Sequence, residues 1–473
     1  MKKILFILLM GIMIGMYSNE VMAEQEGTIS LEATASNGEH TAPLFDKNYY
    51  GKVMFNAGDT LTIKSHDTIY GIYLEWHFVP SEYEVKYNDR TIKGGENAFL
   101  HEYLEFPEGT REVVLTFSDE CYLADIYGYG EGEIPASVQR WEPMLEKADM
   151  LVLTTHADDE ILFLGGVLAE YAGERKLDVQ VIYFFDYTPT WKVREHEKLN
   201  GLWEMGVRNY PDCGGYKEQS VKGLQHTMQV YDYPKALGWL VERIRKYKPQ
   251  VCVTQDAKGE YDQPHHQMVV KMMMDAVNIS ADETQYTESV ELHGTHDVPK
   301  TYLHLWKENT IKLDTRKPLE AFGGRTAYEV CCEAYKKHES QQEFWFEVSD
   351  DNKYSIADFG LYRTTVGPDT GNDMMENLVG YVIPEEESTE TETETETETE
   401  TETETETETE TETETETESE TESETETETE KETETESGQK GPNKKTQTAI
   451  IILVTITVCA IILIVIWFCV GSR

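Results

Sequence analysis

Cysteine is scarce in this sequence, with 7 residues in a chain of 473. Five of them lie outside the two terminal segments described below, at positions Cys121, Cys213, Cys252, Cys331 and Cys332. Such an odd and sparse set excludes a small domain held together by a framework of disulfides. The adjacent pair Cys331 and Cys332 suits the packed face of a helix better than a metal site.

Basic residues are also few, because 41 Lys and Arg stand against 89 Asp and Glu, for a formal net charge of −48. Residues 385–436 hold 27 Glu and one Lys, so −26 of that charge belongs to one segment. Its Thr-Glu alternation has almost nothing apolar to bury and repels itself, which predicts a disordered stalk over residues 384–446. As a strand, the same alternation would stack like charges. We assign the stalk no partner, and we expect no nucleic acid partner for the chain.

Both ends of the chain carry long apolar runs. Residues 1–23 combine Lys2 and Lys3 with an apolar stretch and a small-residue cleavage pattern, which predicts a signal peptide. Residues 448–470 carry no charge, and 23 residues at helical rise cross a hydrocarbon core of about 30 Å. No LPxTG-type sorting motif precedes this segment, so a transmembrane helix is the expected anchor. The sequence therefore predicts a single-pass protein of the cell surface, with its domains outside the membrane.

Residues 24–135 contain short strand-like runs separated by turn signals, a pattern typical of an all-β sandwich. The runs TIYGIYLEW (68–76) and LADIYGYGEG (123–132) resemble galactose-binding-like (discoidin-type) sandwiches of extracellular carbohydrate enzymes. Carbohydrate binding is one expectation for this domain. Four aromatic residues could stack on sugar rings or fill the core instead: Trp76, Phe78, Tyr83 and Tyr103.

From residue 149 onward, strand-like and helix-like segments alternate. This order predicts a Rossmann-like, doubly wound α/β domain over residues 149–342, with ligands at the carboxyl ends of its strands. Residues 343–383 are expected to form a C-terminal extension packed on that domain.

The first polar cluster follows the apolar strand 151–155 and precedes a helix-like segment. It consists of His156, Asp158, Asp159 and Glu160. His156 and Asp159 suit a divalent metal, and Asp158 can accept a proton from water beside it. Alternatively, the acidic residues only cap the helix and offset its dipole.

The second cluster follows the strand 251–255 in the same way. Its polar residues are Asp256, Tyr261, Asp262, Gln263, His265 and His266. Two strand-end loops that each carry His and Asp can meet over one ion, and three ligands leave an open position of the catalytic kind. Either His could instead be an exposed residue at the start of a helix.

The motifs around these clusters resemble the PIG-L/LmbE-like zinc-dependent de-N-acetylases. HADDE (156–160) is similar to the family's HPDDE, and GEYDQPHH (259–266) falls where the family has GxYGHPDH. Between them, Arg194, Glu197 and the run Met205-Gly206-Val207 match the RxxE…LGV helix. Asp212 lies where family members place an Asp that faces the substrate. Four motifs in the right order are specific, although any one alone would be weak.

The resemblance implies a role for each matched residue. His156, Asp159 and His266 would bind one Zn²⁺ per chain, although iron suits the same ligands. Asp158 would be the general base, with Tyr261 near the acetamide oxygen. Arg194 and Asp212 would contact the sugar. His304 and His338 are expected to be packed or capping residues rather than ligands.

Three positions depart from the family pattern. Ala157 replaces a Pro, and Gln263 replaces the first His of HPDH, whose proton a Gln amide cannot deliver. His265 replaces the following Asp. Either His265 supplies the missing imidazole, or Asp158 acts first as base and then as acid. Register favours His266 over His265 as the metal ligand, because one position on a helix turns a side chain by about 100°.

These features predict a hydrolase that removes acetyl groups from N-acetylated amino sugars of extracellular glycans. Gln263 motivates an alternative, a glycan-binding surface protein that keeps the deacetylase fold without turnover. Hydrolysis of another amide, such as a mycothiol-like conjugate, is a third reading that export disfavours. The oligomeric state is not indicated by the sequence.

Overall fold

A computed structural model describes residues 27–188 and 190–381 of the chain. The predicted signal peptide (1–23), stalk (384–446) and membrane anchor (448–470) lie outside the described residues, so these three assignments stay predictions. Among the helices of the described part, none combines the length and the apolar character needed to cross a membrane.

The N-terminal region is an antiparallel β-rich domain. Its strands are β1 (Thr28–Ile29), β2 (Glu32–Ala35), β3 (Val53–Phe55), β4 (Thr60–Trp76), β5 (Tyr83–Tyr87), β6 (Arg90–Gly94), β7 (His101–Phe117) and β8 (Cys121–Tyr129). They form one hydrogen-bonded sheet in the order β1-β8-β4-β7-β5-β6, to which β2 adds at β4 and β3 at β8. A short 3₁₀ helix, Ala42–Phe45, lies between β2 and β3.

The sequence predicts a sandwich. In the structure, the eight strands are hydrogen-bonded into one branched sheet. The reason is the length of β4 and β7, which have 17 residues each and pair with one another along both halves. Although the pairing register breaks between Lys64 and Ile69, the segments on the two sides of the break belong to one strand, where the sequence predicts two.

Burial alternates along the strands of this domain and defines its core. In β5, Tyr83, Val85 and Tyr87 are buried and the two residues between them are exposed. Trp76 is completely buried, with its ring centroid 5.1 Å from that of Tyr83. Of the four aromatic residues considered for sugar stacking, Trp76 and Tyr83 thus belong to the core, whereas Phe78 and Tyr103 are only partly buried.

The second region is a three-layer α/β domain. Its strands are β9 (Met150–Thr154), β10 (Val179–Phe185), β11 (Asp212–Tyr216), β12 (Val251–Thr254), β13 (Lys300–His304), β14 (Thr310–Lys312) and β15 (Asp358–Thr364). Its α-helices are α1 (Asp159–Leu162), α2 (Gly165–Val167), α3 (Val193–Glu204), α4 (Gly223–Val230), α5 (Tyr233–Tyr247), α6 (Pro264–Ile279), α7 (Thr287–His293) and α8 (Ala327–Lys336). A π-helical segment, Leu168–Glu174, continues α2, and 3₁₀ turns cover Glu260–Asp262, Glu320–Phe322 and Glu339–Gln341.

The sheet order β11-β10-β9-β12-β13-β15-β14 places the two polar clusters side by side. Strands β9 to β13 run parallel, and β9 lies between β10 and β12. The chain winds outward in one direction through β10 and β11 and in the other through β12 and β13. The loops after β9 and β12 therefore meet at the switch point of the sheet, where ligands bind in open α/β folds.

The C-terminal extension is part of the sheet as well as packed on it. Its strand β15 pairs antiparallel with both β13 and β14. It also approaches the helix that follows the first cluster, because a Cβ atom on Gly166 would lie 2.4 Å from the backbone oxygen of Ile356. Only a glycine allows this close approach.

Helix α3 joins the two domains. The His101 Nε2 atom of the β-rich domain lies 2.8 Å from His196 Nδ1 on α3, and the ring of Tyr49 stacks on His196 at 4.1 Å. Burial lowers the pKa of His101 to about 3 and holds the pKa of His196 well below its ordinary value. Both imidazoles are therefore neutral parts of a buried junction.

We predict that Glu75 makes the β-rich domain less stable at alkaline pH. Burial, reinforced by the charge of Asp125, raises the pKa of Glu75 to about 8. Because the pKa of Glu75 is higher in the folded than in the unfolded state, the contribution of Glu75 to the free energy of unfolding is largest below about pH 4.5. This contribution falls as the pH rises toward 8. Glu75→Gln keeps an acceptor for the Tyr127 hydroxyl. At pH 8.5 its free energy of unfolding should exceed that of the wild type by about 2–4 kcal/mol, and its urea midpoint should be correspondingly higher.

Urea unfolding of both proteins at pH 5.5 and pH 8.5 tests this prediction. The difference between variant and wild type should be larger at the higher pH. An equal difference at the two pH values would contradict it.

Candidate metal centre

The first loop of the site is a tight turn between β9 and α1. Asp158 lies in the turn with a φ of 131°, a conformation unusual for a residue with a side chain. Its backbone N–H donates to Glu160 Oε2 at 2.8 Å, and Glu160 is completely buried. The carboxylate of Glu160 thus holds the turn in the shape that directs His156 and Asp159 toward the second loop.

Three donor atoms from the two loops converge. His156 Nδ1 lies 2.9 Å from Asp159 Oδ2, His266 Nε2 lies 3.1 Å from the same oxygen, and the two nitrogens are 3.1 Å apart. Ligands bound tetrahedrally at about 2.0–2.1 Å lie about 3.3 Å from each other, so the spacing fits one small cation. The predicted ligands His156, Asp159 and His266 are therefore brought together, and each is buried.

The chemistry of the donors also fits a cation. His266 Nδ1 lies 2.9 Å from Glu260 Oε2 and donates its proton there, so that in the neutral, metal-binding form of His266 the lone pair is on Nε2. That lone pair points at a second imidazole nitrogen and at a carboxylate oxygen. A divalent metal ion could bind all three atoms at once.

Charge at the site favours a positive centre. Burial opposes the charged form of Asp159, but the imidazoles of His266 and His156 outweigh it and hold the pKa of Asp159 well below its ordinary value. Burial likewise opposes charge on His266, yet Asp159 and Glu260 raise its pKa to about 10. Without a metal, the carboxylates thus favour a positive charge on His266, and a bound metal would take the place of that charge.

Glu260 and His304 support His266 from the side remote from the cluster. Glu260 is completely buried, and its Oε1 accepts from the backbone N–H of Asp256 at 2.8 Å and lies 2.8 Å from His304 Nδ1. His304 Nε2 in turn lies 2.9 Å from the carbonyl oxygen of Ser355, in the C-terminal extension. His304 is packed, and it belongs to a chain of contacts that orients His266.

Asp158 and Arg194 form a buried ion pair beside the cluster. Arg194 Nη2 lies 2.7 Å from Asp158 Oδ1, and the same nitrogen donates to the backbone oxygen of Ala157. Burial raises the pKa of Asp158 to about 6, against the opposing charge of Arg194. The family resemblance implies that Arg194 contacts the sugar. In the structure its guanidinium also pairs with Asp158.

Tyr261 lies beside the cluster, and Gln263 caps a helix at the wall of a neighbouring cleft. The ring centroid of Tyr261 is 5.5 Å from that of His266, and its backbone has a φ of 48°. Gln263 is the N-cap of α6, since its Oε1 accepts from the backbone N–H of His265 at 2.7 Å. The Gln263 side chain therefore starts the helix that carries His266.

His265 anchors a neighbouring loop. Its Nε2 donates to the backbone oxygen of Gln219 at 3.0 Å, and burial lowers its pKa to about 4. A neutral imidazole whose proton is already donated to a carbonyl is poorly suited to protonate a leaving group. Of the two alternatives drawn from the sequence, this geometry favours Asp158 as base and acid.

Asp212, the first residue of β11, is held by helix α5. Its Oδ2 accepts from Arg243 Nε and from the Tyr247 hydroxyl, each at 2.8 Å, and both residues belong to α5. Among the described residues, no hydrogen bond or ion pair joins Asp212 to the His-Asp-His cluster. Its predicted contact with the sugar stays a prediction.

A cleft of about 510 Å³ opens beside His156. Its walls include Tyr187 and Trp191 from the loop before α3, Glu218 from the loop after β11, and His265 at the start of α6. Trp191 is 40% exposed there. A cleft with an exposed aromatic wall next to the His-Asp-His cluster can hold one small ligand against the three donor atoms.

The fold and the cluster together define a domain of the doubly wound α/β class with three donor atoms that fit a metal ion. Residues 151–277 match the family described as PIG-L, GlcNAc-PI de-N-acetylase. This part of the chain is a PIG-L family domain, and the resemblance noted from its motifs is confirmed.

Similar proteins include deacetylases and an amidase. The chain is 26% identical over 188 residues to 1D-myo-inositol 2-acetamido-2-deoxy-alpha-D-glucopyranoside deacetylase 1 of Catenulispora acidiphila, covering 34% of this chain and 57% of that one. It is 45% identical over 58 residues to the mycothiol S-conjugate amidase of Streptomyces coelicolor, covering 12% and 20% of the two chains. The chain thus spans little more than half the length of the first relative.

Solved structures give weaker likenesses. An N,N'-diacetylchitobiose deacetylase from Pyrococcus horikoshii aligns with a TM-score of 0.33 at 14% identity, over 41% of this chain and 71% of that one. A pectin-binding carbohydrate-binding module aligns with a TM-score of 0.18 at 16% identity, over 23% of this chain and 94% of that one. These scores support no statement about ligands, and the galactose-binding-like resemblance of the β-rich domain is not confirmed.

We predict that Glu260→Gln weakens zinc binding by about 10- to 100-fold, because the amide cannot replace the carboxylate between His266 and His304. Competition with a chromophoric chelator measures the affinity. Asp262→Asn is the matched control, since Asp262 lies in the same turn, is exposed, and has a positive φ that Asn tolerates. Equal affinities of Glu260→Gln and wild type would contradict the supporting role of Glu260.

Proposed function

We propose that this chain is a zinc-dependent hydrolase that removes the acetyl group from N-acetylated amino sugars. The observation that supports the proposal most strongly is the convergence of His156, Asp159 and His266 beside a spare, buried carboxylate, Asp158. The PIG-L family match and the names of the deacetylase relatives agree with it. The proposed substrate is an extracellular glycan or glycoconjugate, because the sequence predicts export and anchoring at the cell surface.

The chain supplies the binding and proton-transfer groups of this reaction. A bound zinc ion would lower the pKa of water and polarise the acetamide carbonyl. Asp158 is the residue placed to take the proton of the attacking water, since it adjoins the ligand Asp159 and is not itself one of the three donors. Because the Gln263 amide cannot deliver a proton and His265 already donates its Nε2 proton to Gln219, Asp158 also returns the proton to the departing amine.

Arg194 controls the geometry of that proton carrier. Its hydrogen bonds to Asp158 Oδ1 and to the Ala157 backbone hold the carboxylate in one orientation. They occupy one oxygen of Asp158 and leave the other for the proton. Tyr187, whose ring lies 4.6 Å from the guanidinium carbon of Arg194, connects this pair with the cleft where the sugar would bind.

A glycan-binding protein without turnover is the second candidate. The observation that favours it is the capping role of Gln263, which removes the side chain at the family's catalytic His position from the reaction. In this case the metal and the cleft would bind an N-acetylated sugar and release it unchanged.

We predict that Asp158→Asn reduces acetate release from N-acetylglucosamine oligosaccharides by about 10²- to 10⁴-fold, because it removes the proton carrier. Zinc content should stay at the wild-type level, since the three donor atoms belong to other residues. Asp186→Asn, at the end of the neighbouring strand β10, is the matched control and should keep its activity.

The same assay separates the two candidates. A wild-type protein with bound zinc that binds the oligosaccharides but releases no acetate from any of them would refute the hydrolase and support the binding protein.

A further inference from the structure

One ring nitrogen of His156 has no partner. Nδ1 faces Asp159 and His266, whereas Nε2 is buried and makes no hydrogen bond in the described part of the chain. His156 itself is 7% exposed. A neutral imidazole that offers the lone pair of Nδ1 to a cation must carry its proton on Nε2. That buried proton requires an acceptor.

The carboxylate of Glu218 is placed to accept it. Glu218 Oε1 lies 3.6 Å from His156 Nε2, so an approach of about 0.7 Å would give an ordinary hydrogen bond. The second oxygen, Oε2, accepts from the Tyr187 hydroxyl at 2.9 Å. This bond fixes the orientation of the carboxylate and leaves Oε1 toward His156.

The loop that carries Glu218 is fastened on both sides of the residue. The Tyr231 hydroxyl accepts from the backbone N–H of Gln219 at 2.8 Å and donates to the backbone oxygen of Lys217 at 3.3 Å. His265 Nε2 holds the backbone oxygen of Gln219 at 3.0 Å. The position of Glu218 is therefore set by the fold, although its side chain is 38% exposed to the cleft.

The other imidazole ligand shows the completed form of this arrangement. His266 donates from the nitrogen remote from the cluster to Glu260, as metal-binding histidines commonly do to a carboxylate. Glu218 occupies the corresponding position behind His156. The difference is that Glu260 is completely buried, whereas Glu218 lines the cleft.

We propose that Glu218 is a positioning residue that accepts the Nε2 proton of His156 and so fixes this ligand for metal binding. Because Glu218 also lines the cleft, a sugar that displaces water there would strengthen the same hydrogen bond. This inference rests on the metal-binding part of the proposed function and not on acetyl hydrolysis.

A second cation between His156, Glu218 and His265 is the competing interpretation, since one donor atom of each lies within 4.8 Å of the others. It would require His156 to bind a cation through each ring nitrogen and to lose both ring protons. The proposal therefore expects one zinc ion per chain.

The test measures zinc binding by the full chain, with zinc ion as the probe. Glu218→Ala should bind zinc about 10- to 100-fold more weakly than the wild type. Glu218→Gln should lose less, because its amide oxygen still accepts a hydrogen bond, and this variant serves if the Ala variant does not fold. Glu242→Ala is the matched control, since the Glu242 side chain is 36% exposed on α5, and it should bind zinc like the wild type.

A spectroscopic measurement separates positioning from a general loss of structure. In the zinc-loaded wild type, NMR should show a slowly exchanging Nε2 proton on His156, and in Glu218→Ala this proton should exchange rapidly with water. Equal zinc affinity of wild type and Glu218→Ala would overturn the proposal. So would binding of two zinc ions, one of which is lost in Glu218→Ala. Because acetate is not measured, failure of the hydrolase leaves this result unaffected.

Discussion

The site depends on one oxygen atom, Oδ2 of Asp159, that holds imidazoles from two loops more than a hundred residues apart in sequence. A buried carboxylate is costly unless positive charge or hydrogen-bond donors surround it. The two loops must therefore bring both imidazoles within contact distance of Asp159. Adjacency of β9 and β12 provides that approach. The rest of the α/β domain holds the carboxyl ends of these two strands next to each other.

The sequence was sufficient to single out the three residues that the structure brings together, because each lies directly after an apolar strand and within a short polar motif. It was not sufficient for their supports. Glu260 lies inside the quoted run GEYDQPHH, yet its function depends on a 3₁₀ turn with Tyr261 at a positive φ, which no periodicity indicates. Glu218 follows β11 in a loop without a recognisable pattern, and only the fold brings it to His156.

Two further differences have physical explanations. Gln263 was considered for catalysis because of its place in the motif, but a residue before a Pro at a helix start is also a natural cap, and the structure uses it so. The extension after residue 343 was expected only to pack on the domain. The sequence does not reveal its strand β15, because an antiparallel strand contributed by a distant segment cannot be distinguished from a surface loop without its partner strands β13 and β14.

The junction at α3 has an implication for how such proteins can diversify. One face of this helix carries Arg194, which orients the spare carboxylate, and another carries His196, which is buried against Tyr49 and His101 of the β-rich domain. Replacement of the β-rich domain by an unrelated one would leave the uncharged imidazole of His196 facing water. In evolution the two domains should therefore be inherited together, and compensating changes should appear in pairs across this contact rather than in either domain alone.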